Sequence, residues 1–209
     1  MESLLRNKEV CFVGMSPNIE GKGLGEEIDS FEVIVRTNTF PIPKDLVVDY
    51  GERADIMSVL KYEYINQEWD SLKGIIHYRS IEQYNTFPNV VYYRMNVERR
   101  GVIEKGIKEV TGVHPKQGSA GINIISTCLS MGVKRLKLFG ITGYQNKSGE
   151  VVDHTEYLHY VRRKKKAEDC ASMRNHPAHN FKVQNDYLRI LLSKGIIEMD
   201  QYSAEHFKV

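Results

Sequence analysis

The chain has 209 residues and a mass of 24.1 kDa, which suits one domain with a proper core. A hydrophobic share of 41% and a charged share of 27% are ordinary for a globular protein, and a net charge of +2 is too small to argue for nucleic-acid binding through bulk charge. The absence of any run of about 18 apolar residues and of an apolar core in Met1–Arg6 argues against a membrane span and a secretory signal, and three widely spaced cysteines argue for a reducing compartment.

Strands are expected at Val10–Gly14, Phe31–Val35, Ile56–Leu60, Gly74–His77, Val90–Tyr93 and Leu136–Phe139, each a short apolar run. Helices are expected at Val97–Val110, at Ser119–Met131 with Ile122, Ile125 and Leu129 at helical spacing, and at Asn180–Lys194 with Gly195 as its stop. Strands alternating with helices predict an α/β fold: a single Rossmann-like domain over residues 1–209, with a mainly parallel sheet flanked by helices. Thr142–Pro177 carries no periodic pattern, and a loop of that length in a compact domain is expected to be functional or mobile. Cys11, Cys128 and Cys170 offer no C-x-x-C zinc spacing.

The first strand leads into Gly14-Met15-Ser16-Pro17-Asn18, at the carboxyl edge of a parallel sheet where ligands bind. Backbone N–H groups there can cradle a phosphate, and Gly21, Gly23 and Gly25 then allow a flexible crossover. The run is not G-x-G-x-x-G, so it reads either as a glycine-rich turn or as a nucleotide site of another kind. Asn38, just past the second strand, has an amide suited to a ribose hydroxyl or base edge, or to capping the turn before Pro41. Gly118, Ser119 and Gly121 open a helix whose N–H groups and dipole favour an anion; Ser119 reads as its cap, with or without a ligand contact. His179 stands at the start of the last long helix, where a neutral imidazole is favoured and can act as a general base.

The residues "VGMSPNIEGKGLGEEIDSFEVIVRTN", continued by "DYGERADI", resemble the large sialylmotif of glycosyltransferase family 29, the animal-type sialyltransferases. "HPKQGSAGINIISTCLSMGVKRLKLFGI" resembles the small sialylmotif, with Ser119-Ala120-Gly121 at its S-T-G loop. "HNFKVQ" resembles the very small motif, H-x-x-x-x-E, with Gln184 in place of its Glu, and "LHYV" at Leu158–Val161 resembles motif III. Met15 stands where the family has an Asn that contacts the nucleotide, Cys11 and Cys128 do not align with the family's paired cysteines, and no Golgi anchor is seen. The resemblance implies a sialyltransferase variant of the GT-A type, in a minimal cytoplasmic form of bacterial or viral character.

It also implies an inverting, metal-independent transfer of sialic acid or a related sugar from a CMP-sugar donor to a hydroxyl of a glycan or other acceptor, with no cofactor. His179 would be the base and His159 would face the donor phosphate, with His154 as its rival. Gly14, Ser16, Asn18, Asn38, Ser119, Ala120, Gly121 and Tyr160 would hold the donor nucleotide. The basic run Arg162–Lys166 reads as a solvated face or as a clamp for an acidic substrate; nucleic acid as acceptor rests on that run alone. Met15 and Gln184 favour an alternative of a different class, a module of the same fold that binds nucleotide or glycan without turnover.

Overall fold

The computed structural model describes residues 1–37, 41–59, 72–78, 89–151 and 178–208. Seven strands form one sheet: β1 (Glu9–Val13), β2 (Val33–Thr37), β3 (Ile56–Val59), β4 (Gly74–His77), β5 (Val91–Arg94), β6 (Arg135–Phe139) and β7 (Glu198–Met199). Their order is β5-β4-β3-β2-β1-β6-β7, and each neighbouring pair is parallel. The helices are α1 (Glu2–Leu5), α2 (Gly25–Asp29), α3 (Val47–Tyr50), α4 (Val97–Thr111), α5 (Ala120–Ser130), α6 (Phe181–Ser193) and α7 (Gln201–Ala204).

The strands read as unbroken apolar runs because the sheet is covered on both faces. On one face Val10, Phe12, Val35 and Ile56 pack with Ile122 and Ile125 of α5 and with Leu188 of α6. On the other, Cys11, Val13, Ile34 and Phe139 pack with Ile28 of α2 and Tyr50 of α3. Cys11 and Cys128 therefore lie in different clusters, both buried and unpaired by any disulfide. The architecture is the expected mainly parallel, Rossmann-like sheet flanked by helices.

From β1 the chain walks outward through β5, then crosses back to place β6 on the other side of β1. The β1/β6 boundary is thus the topological switch point, where a crevice opens outside the carboxyl ends of the strands. The first loop and the loop after β6 meet there.

The glycine run after β1 is not the flexible crossover expected from its composition. Asp49, 4% exposed, accepts three backbone hydrogen bonds, from Gly21 at 2.7 Å, Lys22 at 2.8 Å and Gly23 at 2.8 Å. The positive φ angles of Gly21 (70°) and Gly23 (65°) let the successive N–H groups converge on one carboxylate. Burial pushes the Asp49 carboxyl up, but the bonds from Gly23, Gly21 and Lys22 outweigh it, and the net direction is below its ordinary 3.8. A depressed carboxyl stabilises the fold above its ordinary pKa and loses that contribution as pH falls through the folded value. Asp49→Ala is expected to cost about 3 kcal/mol at neutral pH, from hydrogen bonds to a charged acceptor. In urea titrations the gap to the parent should narrow below about pH 4, as the carboxyl protonates; a gap independent of pH would contradict this role.

Candidate functional site

At the switch point the two strand ends are nearly in backbone contact. Gly14 N–H donates to Phe139 O at 2.8 Å and Ser16 N–H to Gly140 O at 3.1 Å. A side chain on Gly14 has no room: a Cβ there would lie 2.3 Å from Ile141 Cδ1 and 2.4 Å from Gly140 O. Gly14 thus closes the seam between β1 and β6, and these two N–H groups are committed to the protein.

Ser16 is 2% exposed; its hydroxyl lies 3.5 Å from Thr142 Oγ1, and Tyr50 donates to its carbonyl at 2.7 Å. Met15 packs against the α2–α3 cluster, which gives an apolar residue a structural place at this position. Asn18 Nδ2 donates to Ser203 Oγ at 3.3 Å, while its Oδ1 is buried without a partner. Ser203 also accepts from Ile141 N at 3.0 Å and donates to Asp200, which in turn accepts from Gly140 N at 3.0 Å. This network fixes the start of the loop after β6 against α7.

That loop is ordered further than its sequence indicates. Gln145, 2% exposed, donates to His206 O at 2.6 Å and accepts from Arg189 at 2.7 Å; Asn185 donates to Gly143 O at 2.9 Å. Residues 142–151 are therefore held by α6 and the chain end. The rest of the expected loop, with His154, His159, Tyr160 and the Arg162–Lys166 run, lies outside the described residues, as does Asn38.

The second half of the site forms around α5. Residues 115–117 run antiparallel to 178–180, through Lys116 paired with His179, Gln117 N–H donating to Ala178 O at 2.9 Å and Asn180 N–H donating to Pro115 O at 3.1 Å. This pairing sets half-buried His179 beside the N-terminus of α5. Its Nδ1 lies 2.8 Å from Gln117 O. A carbonyl can only accept, so Nδ1 carries the hydrogen, and the nitrogen able to take a proton is Nε2. The imidazole also packs against Phe181, the ring centroids 5.4 Å apart and the planes tilted by 54°, and Phe181 meets Tyr144 at 4.7 Å.

Gln184, 1% exposed, ties the base to the helix end. Its Nε2 donates to the same Gln117 O at 3.0 Å, and its Oε1 accepts from Ser119 N at 3.1 Å. The position needs one donor and one acceptor, which an amide supplies and an ionised carboxylate cannot. Gln184→Glu must either lose the bond to Gln117 or hold a proton. We expect a loss of about 1–3 kcal/mol at neutral pH that shrinks in acid, read from denaturant midpoints; parent-like stability at all pH values would contradict the bridge.

Ser119 caps α5, its hydroxyl accepting from Ile122 N at 3.5 Å. Gly118 N–H donates to Glu104 at 3.4 Å, and Ser119 N–H is committed to Gln184. The N–H groups of Ala120 and Gly121 open the helix and, among the described residues, meet no protein acceptor. They point the positive end of an 11-residue helix toward the crevice edge. The structure thus gathers Ser119, Ala120, Gly121 and His179 in one place, and Gly14, Ser16 and Asn18 at the switch point. Gln117, which sets the histidine's tautomer, carries no sequence signal because it acts through its backbone carbonyl.

Among the described residues, no group of three His, Cys, Asp or Glu side chains could hold a metal ion, and no helix is long and apolar enough to cross a membrane.

No protein-family model matches the chain, and no curated protein matches it. Solved structures do. The fold resembles that of solved sialyltransferases. A mammalian sialyltransferase superposes with a TM-score of 0.64 at 15% identity, over 93% of this chain and 69% of that one. A mammalian sialyltransferase in complex with Gal-beta-1-3GalNAc-ortho-nitrophenol superposes with a TM-score of 0.63 at 15% identity, over 96% and 71% respectively. The likeness spans nearly the whole chain and establishes the architecture.

Proposed function

We propose that this chain is an inverting, metal-independent glycosyltransferase that moves sialic acid or a related sugar from a CMP-sugar to an acceptor hydroxyl. The observation that carries the reading is His179: its tautomer is set by Gln117, and it stands beside the α5 N-terminus. The acceptor oxygen attacks the anomeric carbon while its proton passes to His179 Nε2. The bond from that carbon to the phosphate oxygen breaks, and CMP leaves with the electron pair. The negative charge on the leaving phosphate is met by the N–H groups of Ala120 and Gly121 and by the helix dipole. His159 adds a further donor to that phosphate, and Asn38, Ser16, Asn18 and Tyr160 complete the nucleotide site. The whole of residues 1–209 acts as one domain, with 142–177 as its active-site loop.

The packing of Met15 into the apolar cluster favours a second reading, a nucleotide- or glycan-binding module without turnover. The two separate in one assay: incubation with CMP-sialic acid and a panel of glycan acceptors, following CMP release and product mass. Transfer supports the enzyme. CMP binding without release or product supports the module.

A further inference from the structure

Beneath the first turn of α5 the sheet carries polar side chains in an otherwise apolar pattern. Thr37 closes β2 and lies in register with Ser58 of β3. They follow Val35 and Ile56 by two residues, so strand alternation turns them to the same face, the one packed against α5. Asn123 comes from α5 itself. Thr37, Ser58 and Asn123 are 8%, 1% and 1% exposed, yet Thr37 Oγ1, Ser58 Oγ and Asn123 Oδ1 meet no hydrogen-bond partner among the described residues.

Two neighbouring donors are already committed. Tyr78 lies in hydrogen-bonding range of Ser58 and Asn123: burial pushes its phenol up to about 12, and hydrogen bonding with those two side chains pulls the other way. Its hydroxyl donates to Ala120 O at 3.4 Å, and Asn123 Nδ2 donates to Gly118 O at 3.0 Å. Thr37 Oγ1 and Asn123 Oδ1 are left over, and Ser58 Oγ has no well-formed bond, next to the helix end that offers the N–H groups of Ala120 and Gly121. Buried polar atoms are costly to leave unpaired, and such atoms in a folded chain call for an occupant.

We propose that Thr37, Ser58 and Asn123 form a hydroxyl-recognition well, which takes the polyol carried next to a phosphate bound at the N-terminus of α5. The inference rests on the nucleotide-sugar reading. A diol suits the well because each hydroxyl both donates and accepts: Asn123 Oδ1 can only accept, while Thr37 and Ser58 can do either. Two sources carry that chemistry, the ribose of the nucleotide and the transferred sugar.

The test uses Thr37→Val and Ser58→Ala, alone and together, since each removes a hydroxyl with little change in volume. Calorimetry with CMP, 2′,3′-dideoxy-CMP and a non-transferable CMP-sialic acid analogue reads the well, with inorganic phosphate as the control for the helix end. The double variant should bind about tenfold more weakly, with phosphate binding and Tm not reduced. If ribose fills the well, CMP and the analogue weaken alike, and dideoxy-CMP ignores the substitutions. If the transferred sugar fills it, only the analogue weakens. Equal affinity of parent and double variant for both CMP and the analogue overturns the well and leaves water as its occupant. No nucleotide binding by the parent chain overturns the nucleotide reading itself.

Discussion

His179→Ala is expected to lower transfer from a CMP-sugar by about 10²–10⁴-fold, the usual contribution of a positioned general base. CMP affinity should stay within about twofold, because the proposed phosphate contacts are backbone N–H groups of α5, and the pairing that holds residue 179 is also backbone. The side chain's own bond to Gln117 O is lost, but Gln184 still donates to that carbonyl. Transfer rates and CMP titrations on one preparation check both halves. A loss of CMP binding equal to the loss of rate would make His179 a binding residue; an unchanged rate would remove it from the mechanism.

Gly14→Ala is expected to have the largest effect on stability. The added methyl would lie 2.4 Å from Gly140 O, which is backbone and cannot swing away as a side chain can. The seam between β1 and β6 would have to open, straining the two hydrogen bonds that cross it from Gly14 and Ser16. Overpacking of this kind costs about 3 kcal/mol, and more where backbone must move. Denaturant midpoints measure it. A soluble variant with parent-like stability would mean that the seam is looser than its geometry states. A variant that folds at reduced stability and binds CMP less well would tie the seam to the nucleotide site.

The sheet was largely legible because its strands are buried on both faces and so read as plain apolar runs. Gly74–His77 was placed residue for residue, and the other five expected strands overlap β1, β2, β3, β5 and β6. The expected Phe31–Val35 starts early because Phe31 belongs to the turn before β2, although it packs in the core. β7 went unseen: Glu198–Met199 is too short for a periodic signal, and it exists only by pairing with Lys137 and Leu138. Helices α2 and α3 were hidden by the glycines and by their length of five and four residues, too few to show a helical period.

The three long helices were legible from spacing and caps, and so was the placing of Ser119 at the start of one. What the sequence could not show was where partners come from. Asp49 looks like a loop acid, and only the folded chain reveals it as the acceptor for the glycine run. Gln184 reads as a departure from the family motif, yet its amide fits two partners that a carboxylate would not serve together. Ser58 and Asn123 left a weak trace as single polar residues inside apolar runs; the register and the helix packing give that trace a meaning.

The measurement that tests the central claim most directly is calorimetric titration of the purified chain with CMP, UDP, GDP and NAD. CMP is expected to bind selectively, with the affinity retained in His179→Ala. Binding of UDP or GDP in preference to CMP would contradict the donor assignment, and the absence of binding to any of the four would contradict the nucleotide site at the α5 N-terminus.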